Sequence, residues 1–404
     1  MTERDRSIAG HGPRDTLARG NPRGMTQLHD VYGKLLIVRP PVPATVNKAG
    51  ANYKSEVAHL AYSPRCAYDE WLSILDAIIA CGGDALYQFE AADDPFLDRG
   101  ALEIDGDGAI RPRGSRETLG RIDEVMTGRV FAANGPWVSV RDRTLRAVMP
   151  NMLEHRVPEA AYYAALLGEI ATAGGLALEL ADNPHRWEGM ADIAAVGDQV
   201  VLTYAVPGHY DQATTPKSSR STRAGVAFAA DFAGVPEDAR IYVELVYPHF
   251  HGDTVHFGAR PTTSPPVLVQ YGGGLYGDGA AVVSARLGAD RIIAISQHDA
   301  VESYAGNSRQ VGDGVLVPDG VSPAFVEHLQ RLGLGTHRVP LFELFGKAGG
   351  GPACATLYLP RSIALPENLM LRYSSTRDLV RARRERIPEL LHVDREYFAG
   401  KARG

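Results

Sequence analysis

The chain has 404 residues, 45% hydrophobic and 22% charged, which is the composition of a globular protein. Its formal net charge is −6 with no long basic run, so neither nucleic acid nor an anionic membrane surface is called for as a partner. No apolar stretch approaches about 18–20 residues, so no transmembrane helix is expected. The three cysteines do not form a disulfide framework pattern and suit a reducing cytoplasm, where a thiol stays reactive.

Residues 1–24 are rich in Arg, Gly, Asp and Pro and lack an apolar core, which predicts a disordered extension rather than a secretory leader. Met1 and Met25 both remain open as the start. Residues 25–404 read as one α/β domain, with a charged, glycine-containing insertion near 92–128. Leu35-Leu36-Ile37-Val38-Arg39 is a buried strand that ends at Pro40 and Pro41. Tyr68 to Ala80 places Trp71, Leu72, Leu75, Ile78 and Ile79 at helical spacing. Cys66 and Cys81 flank that helix and read as buried structural thiols.

Val130 to Ala133 reads as a strand entering a turn at Asn134-Gly135, and Arg146 to Met149 as another strand. Pro158 to Ala173 has proline near its first turn and a helical apolar face. Strands follow at Leu176–Leu180, Gln199–Tyr204 and Ile241–Val246, with a helix from Thr222 to Ala233. Further strands are expected at Val267–Tyr271, Arg291–Ile295 and Gly314–Val317. Ser322 to Leu332 carries Ser at the N-cap, Pro at N1 and Gly333 beyond its end. Val339 to Phe345 reads as a last strand. The alternation of strand pairs with helices argues for an α/β fold of repeated units. Tyr271-Gly272-Gly273-Gly274 lacks the spacing of a nucleotide-binding loop and reads as a flexible loop near a pocket.

Three clusters, far apart in sequence, carry chemistry. Cys354 follows Gly349-Gly350-Gly351, where backbone N–H groups can stabilise a thiolate. His249-Phe250-His251-Gly252-Asp253-Thr254 follows a strand, and Glu188-Gly189-Met190-Ala191-Asp192 lies upstream. A thiol, a histidine and carboxylates can form a nucleophile, acid/base and orienting group. An alternative reading makes His249, His251 and Asp253 a metal cluster, since alternate residues of a strand share a face. Asp192 can equally be structural, and Arg220 in Arg220-Ser221-Thr222 can be a surface residue.

The order and spacing of Glu-Gly-x-x-Asp (188–192), Glu-Leu-Val-x-Pro through His-x-Asp-Thr (244–254) and Lys-x-Gly-Gly-Gly-x-x-Cys-x-Thr-Leu-x-Leu (347–359) resemble the guanidino-group modifying superfamily. That superfamily includes arginine deiminases, dimethylarginine dimethylaminohydrolases, arginine dihydrolases and amidinotransferases. The resemblance covers about residues 120–361. It implies a pentein, a five-fold pseudo-symmetric α/β propeller of ββαβ units with a central active site. It implies attack by Cys354 on a guanidinium carbon, forming a thiouronium intermediate, with His251 as acid/base. Glu188 would orient His251 or touch the guanidinium, and Asp253 and Asn134 would hold the substrate. Asp192 and Arg220 complete the candidate binding set, and Asn307 in Tyr304-Ala305-Gly306-Asn307 is a turn or pocket wall. Phe131-Ala132-Ala133-Asn134 resembles the arginine dihydrolase branch, which favours a hydrolase of arginine or an arginine-like compound. An amidinotransferase is the alternative, and a non-catalytic pentein-type binding protein a third class. The expected partner is a small guanidino substrate, with no cofactor and no metal. Homo-oligomerisation is compatible with the chain, and the long connection 208–223 is a candidate for recognition of the substrate tail.

Overall fold

The computed structural model describes residues 33–41, 61–87, 102–104, 109–112, 128–152, 156–157, 159–206, 209, 220–387 and 391–393. The expected extension 1–24, most of the 92–128 insertion and most of the 208–223 connection lie outside the described residues. Five three-stranded sheets share one topology. The hairpin Trp137–Arg141/Thr144–Met149 is antiparallel, the helix Glu159–Ala173 crosses over, and Ala177–Asp182 returns parallel to the middle strand. Ile193–Val196, Gln199–Tyr204, the helix Arg223–Phe232 and Arg240–Glu244 repeat the pattern. His256–Ala259, Val267–Gln270, Gly279–Leu287 and Ile292–Ala294 repeat it again. So do Arg309–Val311, Gly314–Pro318, Pro323–Arg331 and Gly335–Val339.

The fifth sheet joins the two ends of the chain. Leu357–Tyr358 pairs antiparallel with Leu35–Ile37, which runs parallel to Asp84–Leu86 after the helix Pro64–Ala80. Parallel partners cannot be linked by a tight turn, so each unit needs its crossover helix. A further four-stranded sheet combines Ala61–Tyr62, Leu391–Val393, Ala109–Pro112 and Leu102–Ile104. The expected insertion therefore contributes two strands of its own. Among the described residues, no helix is long and apolar enough to cross a membrane.

The helices form where caps and apolar spacing agree. Ser63, Thr222 and Ser322 accept N–H groups from Cys66, Gly225 and Phe325 at 3.1–3.2 Å. The helix Glu159–Ala173 buries Tyr162, Tyr163, Leu166, Leu167 and Ile170 on one face. The middle strands bury both faces, as at Val200, Val201 and Leu202.

Three local expectations differ from the structure. Val130 to Ala133 is a turn leading into a 3₁₀ segment, and the strand begins only at Trp137. The run is apolar because it is buried, not because it is paired in a sheet. Cys66 is exposed and Cys81 partly so, because Cys66 faces solvent on the first turn of its helix. The Gly272–Gly274 segment, expected as a flexible loop, contains a 3₁₀ turn running towards the helix Gly279–Leu287.

Val339 to Phe345 is also divided. The strand stops at Val339 and Phe342–Ala348 is a helix. Pro340 has no N–H for a ladder. The buried Glu70 carboxylate, from the helix Pro64–Ala80, accepts the N–H groups of Glu343 and Leu344 at 2.7 and 2.8 Å. Burial raises Glu70 from 4.5 to about 7, although those N–H groups pull it down. A carboxyl with a raised folded pKa stabilises fully below its unfolded value and loses that contribution as pH rises through the folded value. Melting temperature measured from pH 4.5 to 7 should therefore fall more steeply in the native protein than in Glu70→Gln. Parallel curves would contradict this role of Glu70.

Candidate active site

The first strand of each three-stranded unit is preceded by a short turn, and these turns carry the candidate site residues. Ala132–Asn134, Gly189–Asp192, Gly252–Thr254 and Ala305–Asn307 are 3₁₀ turns, and residues 352–355 form the turn before Leu357. Each turn is hydrogen-bonded to the next: Met190 N–H to Gly135 O, Gly252 N–H to Asp192 Oδ1, Asn307 Nδ2 to Asp253 O and Ala353 N–H to Asn307 O, at 2.8–3.3 Å. Ala133 N–H donates to Cys354 O at 2.9 Å and links the last turn to the first. The approach is close enough to require glycine. A Cβ on Gly189, whose φ is +81°, would stand 2.2 Å from Gly135 O, and one on Gly306 would stand 2.8 Å from Thr254 O.

Cys354 is buried within this set of turns. Its Sγ donates to Asp253 Oδ2 at 3.2 Å and receives Asn307 Nδ2 at 3.0 Å. The other end of the Asn307 amide accepts the N–H groups of Gly351 and Cys354, each at 3.0 Å. The backbone N–H of Cys354 therefore serves Asn307, and Asn307 in turn donates to the sulfur. Arg309 holds the following turn through Ala353 O at 2.7 Å, Thr356 O at 3.0 Å and Thr356 Oγ1 at 2.9 Å. Burial, then the neighbouring Asp253 charge, pushes the Cys354 thiol well above its ordinary value. Burial also raises Asp253, whose Oδ1 has no hydrogen-bond partner among the described residues.

His251 Nε2 lies 2.9 Å from Glu188 Oε2, and Arg220 donates to the same oxygen at 2.9 Å. Burial opposes ionisation of Glu188, but Arg220, His251 and Arg156 outweigh it and hold the carboxyl well below its usual range. Arg220 is thus a buried ion-pair partner, not a surface residue. Asp192 lies beside them with both oxygens taken. Oδ1 accepts Thr203 Oγ1 at 2.9 Å and Gly252 N–H at 2.8 Å, and Oδ2 accepts Ser221 Oγ at 2.5 Å. Those contacts brace the turn that presents His251.

Asn134 joins the two groups. Its Nδ2 donates to Glu188 O at 3.0 Å and lies 3.4 Å from His251 Nε2. Its Oδ1 accepts from Arg156 at 2.5 Å. Arg156 is itself paired with Glu159 at 2.6 Å, and Glu159 with Arg39 at 2.8 Å, all of them buried. Sequence reading does not find this Arg39–Glu159–Arg156 triad, because Arg39 and Glu159 are 120 residues apart.

His249, His251 and Asp253 do not share one point. His249 Nδ1 turns to Thr254 Oγ1 at 3.1 Å, His251 to Glu188 and Asp253 to Cys354. Burial lowers His249 to about 4 and His256 to about 3, so both rings are neutral. Among the described residues no group of three His, Cys, Asp or Glu side chains is placed to hold a metal ion.

No family model matches the sequence, and no curated protein matches it. Solved structures match in fold. The N-terminal domain of ArgZ, an arginine dihydrolase of the ornithine-ammonia cycle in cyanobacteria, is similar over 82% of this chain and 99% of its own, with TM-score 0.59 and 19% identity. AgrE in a ternary complex with ornithine and NAD⁺ is similar over 82% of this chain and 40% of its own, with TM-score 0.56 and 19% identity. A dimethylarginine dimethylaminohydrolase adduct with S-methyl-L-thiocitrulline is similar over 81% of this chain and all of its own, with TM-score 0.53 and 19% identity. The chain spans about two-fifths of the longer ArgZ and AgrE chains it matches. The shared fold is the pentein-type α/β fold of these neighbours.

The buried Cys354–Asp253 pair has a direct consequence for thiol reactivity. Removing the Asp253 charge while keeping its shape should lower the Cys354 pKa. In Asp253→Asn, the pH midpoint for iodoacetamide labelling of the Cys354 peptide should move down, with exposed Cys66 labelled first in both proteins. An unchanged or raised midpoint would contradict the coupling.

Proposed function

We propose that this protein is a cysteine-dependent hydrolase acting on the guanidino group of arginine or an arginine-like compound. The observation that carries the reading is the buried carboxylate of Asp253, with one oxygen on the nucleophile's sulfur and the other open. A guanidinium is a planar cation with paired N–H donors, and a carboxylate is its natural acceptor. The fold likeness to arginine dihydrolase and dimethylarginine dimethylaminohydrolase supports the same reading. We read residues 25–404 as one catalytic domain, its five units the blades of a pentein propeller.

Substrate binding prepares the nucleophile. A guanidinium at Asp253 Oδ1 brings a positive charge beside the thiol and reverses part of the penalty on its ionisation. The thiol proton passes to solvent, and the thiolate sulfur then attacks the guanidinium carbon and forms a C–S bond. The C–N bond to a terminal nitrogen breaks, and protonated His251 supplies the proton with which ammonia departs. Water adds to the S-alkylthiouronium carbon as His251 takes its proton, and the C–S bond breaks to release the ureido product and the thiol. Glu188, kept ionised by Arg220, fixes the orientation of the His251 ring.

Asn134 bears on how far hydrolysis proceeds. Arg156 occupies its carbonyl oxygen, which directs the amide N–H₂ towards Glu188 and His251. A neutral donor there accommodates a ureido oxygen, which an Asp carboxylate would repel. A second round on the ureido group, yielding ornithine, is therefore compatible with the site.

Arginine incubated with the purified protein alone should yield ammonia, with citrulline or ornithine as the organic product. Ornithine and a new guanidino compound formed only when glycine or lysine is supplied would establish the amidinotransferase instead. Cys354→Ser should abolish turnover while Cys66→Ser retains it, because a neutral alcohol is a far weaker nucleophile than a thiolate. His251→Ala should lower kcat by about 10²–10⁴-fold, the usual contribution of a positioned acid/base group. Activity should survive EDTA; its loss to EDTA and recovery with Zn²⁺ would contradict the covalent mechanism.

A further inference from the structure

The strands that begin at the catalytic turns end at a second concave surface. A cavity of about 900 Å³ is formed there by turns of several units, including Gly197-Asp198, Arg260–Thr262, Ser264–Pro266 and Gly312-Asp313. Ile193–Val196 separates Asp192 from Gly197, and His256–Ala259 separates the Asp253 turn from Arg260. At about 3.3 Å per residue, four strand residues set the two ends roughly 13 Å apart. This basin is therefore distinct from the Cys354 site.

Its charge is unusual for the chain. Lys34, Arg260, Arg291 and Arg361 line it, against Asp198 and Asp313. Four cations and two carboxylates give a formal charge of +2 in a protein whose net charge is −6. Lys34, Arg260 and Arg361 are exposed, and their charged ends have no hydrogen-bond or ion-pair partner among the described residues. Among the described residues Arg291 meets only neutral acceptors, Pro266 O at 2.9 Å and Val196 O at 3.1 Å. Neither aspartate neutralises a lining cation by direct contact. Like charges gathered in a concavity raise the local potential and attract anions more strongly than a flat surface does.

The rim is also fixed in place. Gln310 accepts Arg260 N–H at 2.7 Å, donates to Arg260 O at 3.0 Å and donates to Gly312 O at 2.8 Å. Pro261, Pro265 and Pro266 restrict the loop that carries Arg260. Fixing the backbone that carries Arg260 leaves chiefly side-chain freedom to be lost when an anion docks. A concavity of about 900 Å³ favours a compact ligand over an extended polymer.

The geometry points to a binding site for a small polyvalent anion, of the di- or triphosphate class, on the face away from Cys354. Inorganic pyrophosphate is the probe. Calorimetry of the full chain at low ionic strength should show one pyrophosphate per protomer, with affinity at least tenfold above that for chloride. Cys354→Ser should bind it equally well. Arg260→Ala and Arg361→Ala should each weaken binding several-fold, and the double variant by at least tenfold, with unchanged circular dichroism and melting temperature in the absence of anion. Arg260→Lys should retain most of the affinity. No saturable binding at millimolar pyrophosphate, several equivalent weak sites, or a double variant that binds like the native protein would each overturn the proposal. Competition by arginine would place the anion in the Cys354 site and overturn it as well.

Discussion

A carboxylate and a thiol, 3.2 Å apart and shielded from water, set the terms for the rest of the molecule. Burial opposes ionisation of both Asp253 and Cys354, and the Asp253 charge adds to the penalty on the thiol, while the S–H hydrogen bond favours the carboxylate. The thiol therefore resists ionisation in this setting. Holding such a pair requires rigid surroundings, because a carboxylate that could rotate towards water would relax the arrangement. Asn307 supplies much of the rigidity: one amide contacts Asp253 O, Cys354 Sγ and the N–H groups of Gly351 and Cys354.

The neighbouring charges are treated differently. Glu188 is compensated by Arg220, and Glu159 is shared by Arg156 and Arg39. Breaking a buried pair of this kind leaves an uncompensated charge and destabilises by about 3–5 kcal/mol. These sets fix His251 and Asn134 at one side of the pocket, leaving Asp253 Oδ1 as its open acceptor. Under the proposed function the arrangement separates two tasks: compensated charges position the acid/base group and the amide, and the open charge receives substrate. Repetition of one small unit makes this possible, since each unit contributes one turn and each turn needs to present only one or two side chains.

Much of the site was legible in the sequence because its residues fall in short ordered motifs. Cys354 stood out after its glycine run, and His251 because Asp253-Thr254 follows it. The helices at 159–173 and 323–331 were legible from periodicity and capping residues. Short strands were not: Ile193–Val196 and Arg309–Val311 have four and three residues, too few for a pattern of alternation. The run before Asn134 looked like a strand because burial, which selects apolar residues, does not distinguish a paired strand from a packed turn. The helix Phe342–Ala348 depends on Glu70, which lies 273 residues before its hydrogen-bond partner Glu343. Arg156 was silent for the same reason, and Asn307, legible as a turn or pocket wall, gave no sign of its contacts with Asp253 and Cys354, because those partners come close only on folding.

The central claim is that Cys354 carries the amidino carbon of the substrate during turnover. It is tested most directly by mass spectrometry of the Cys354 peptide after acid quench of His251→Ala mixed with arginine, since loss of the acid/base group slows hydrolysis of the intermediate. The account predicts a gain equal to arginine minus ammonia, confined to that peptide and absent without arginine. An unmodified Cys354 peptide, in a preparation that nonetheless releases ammonia from arginine, would contradict it.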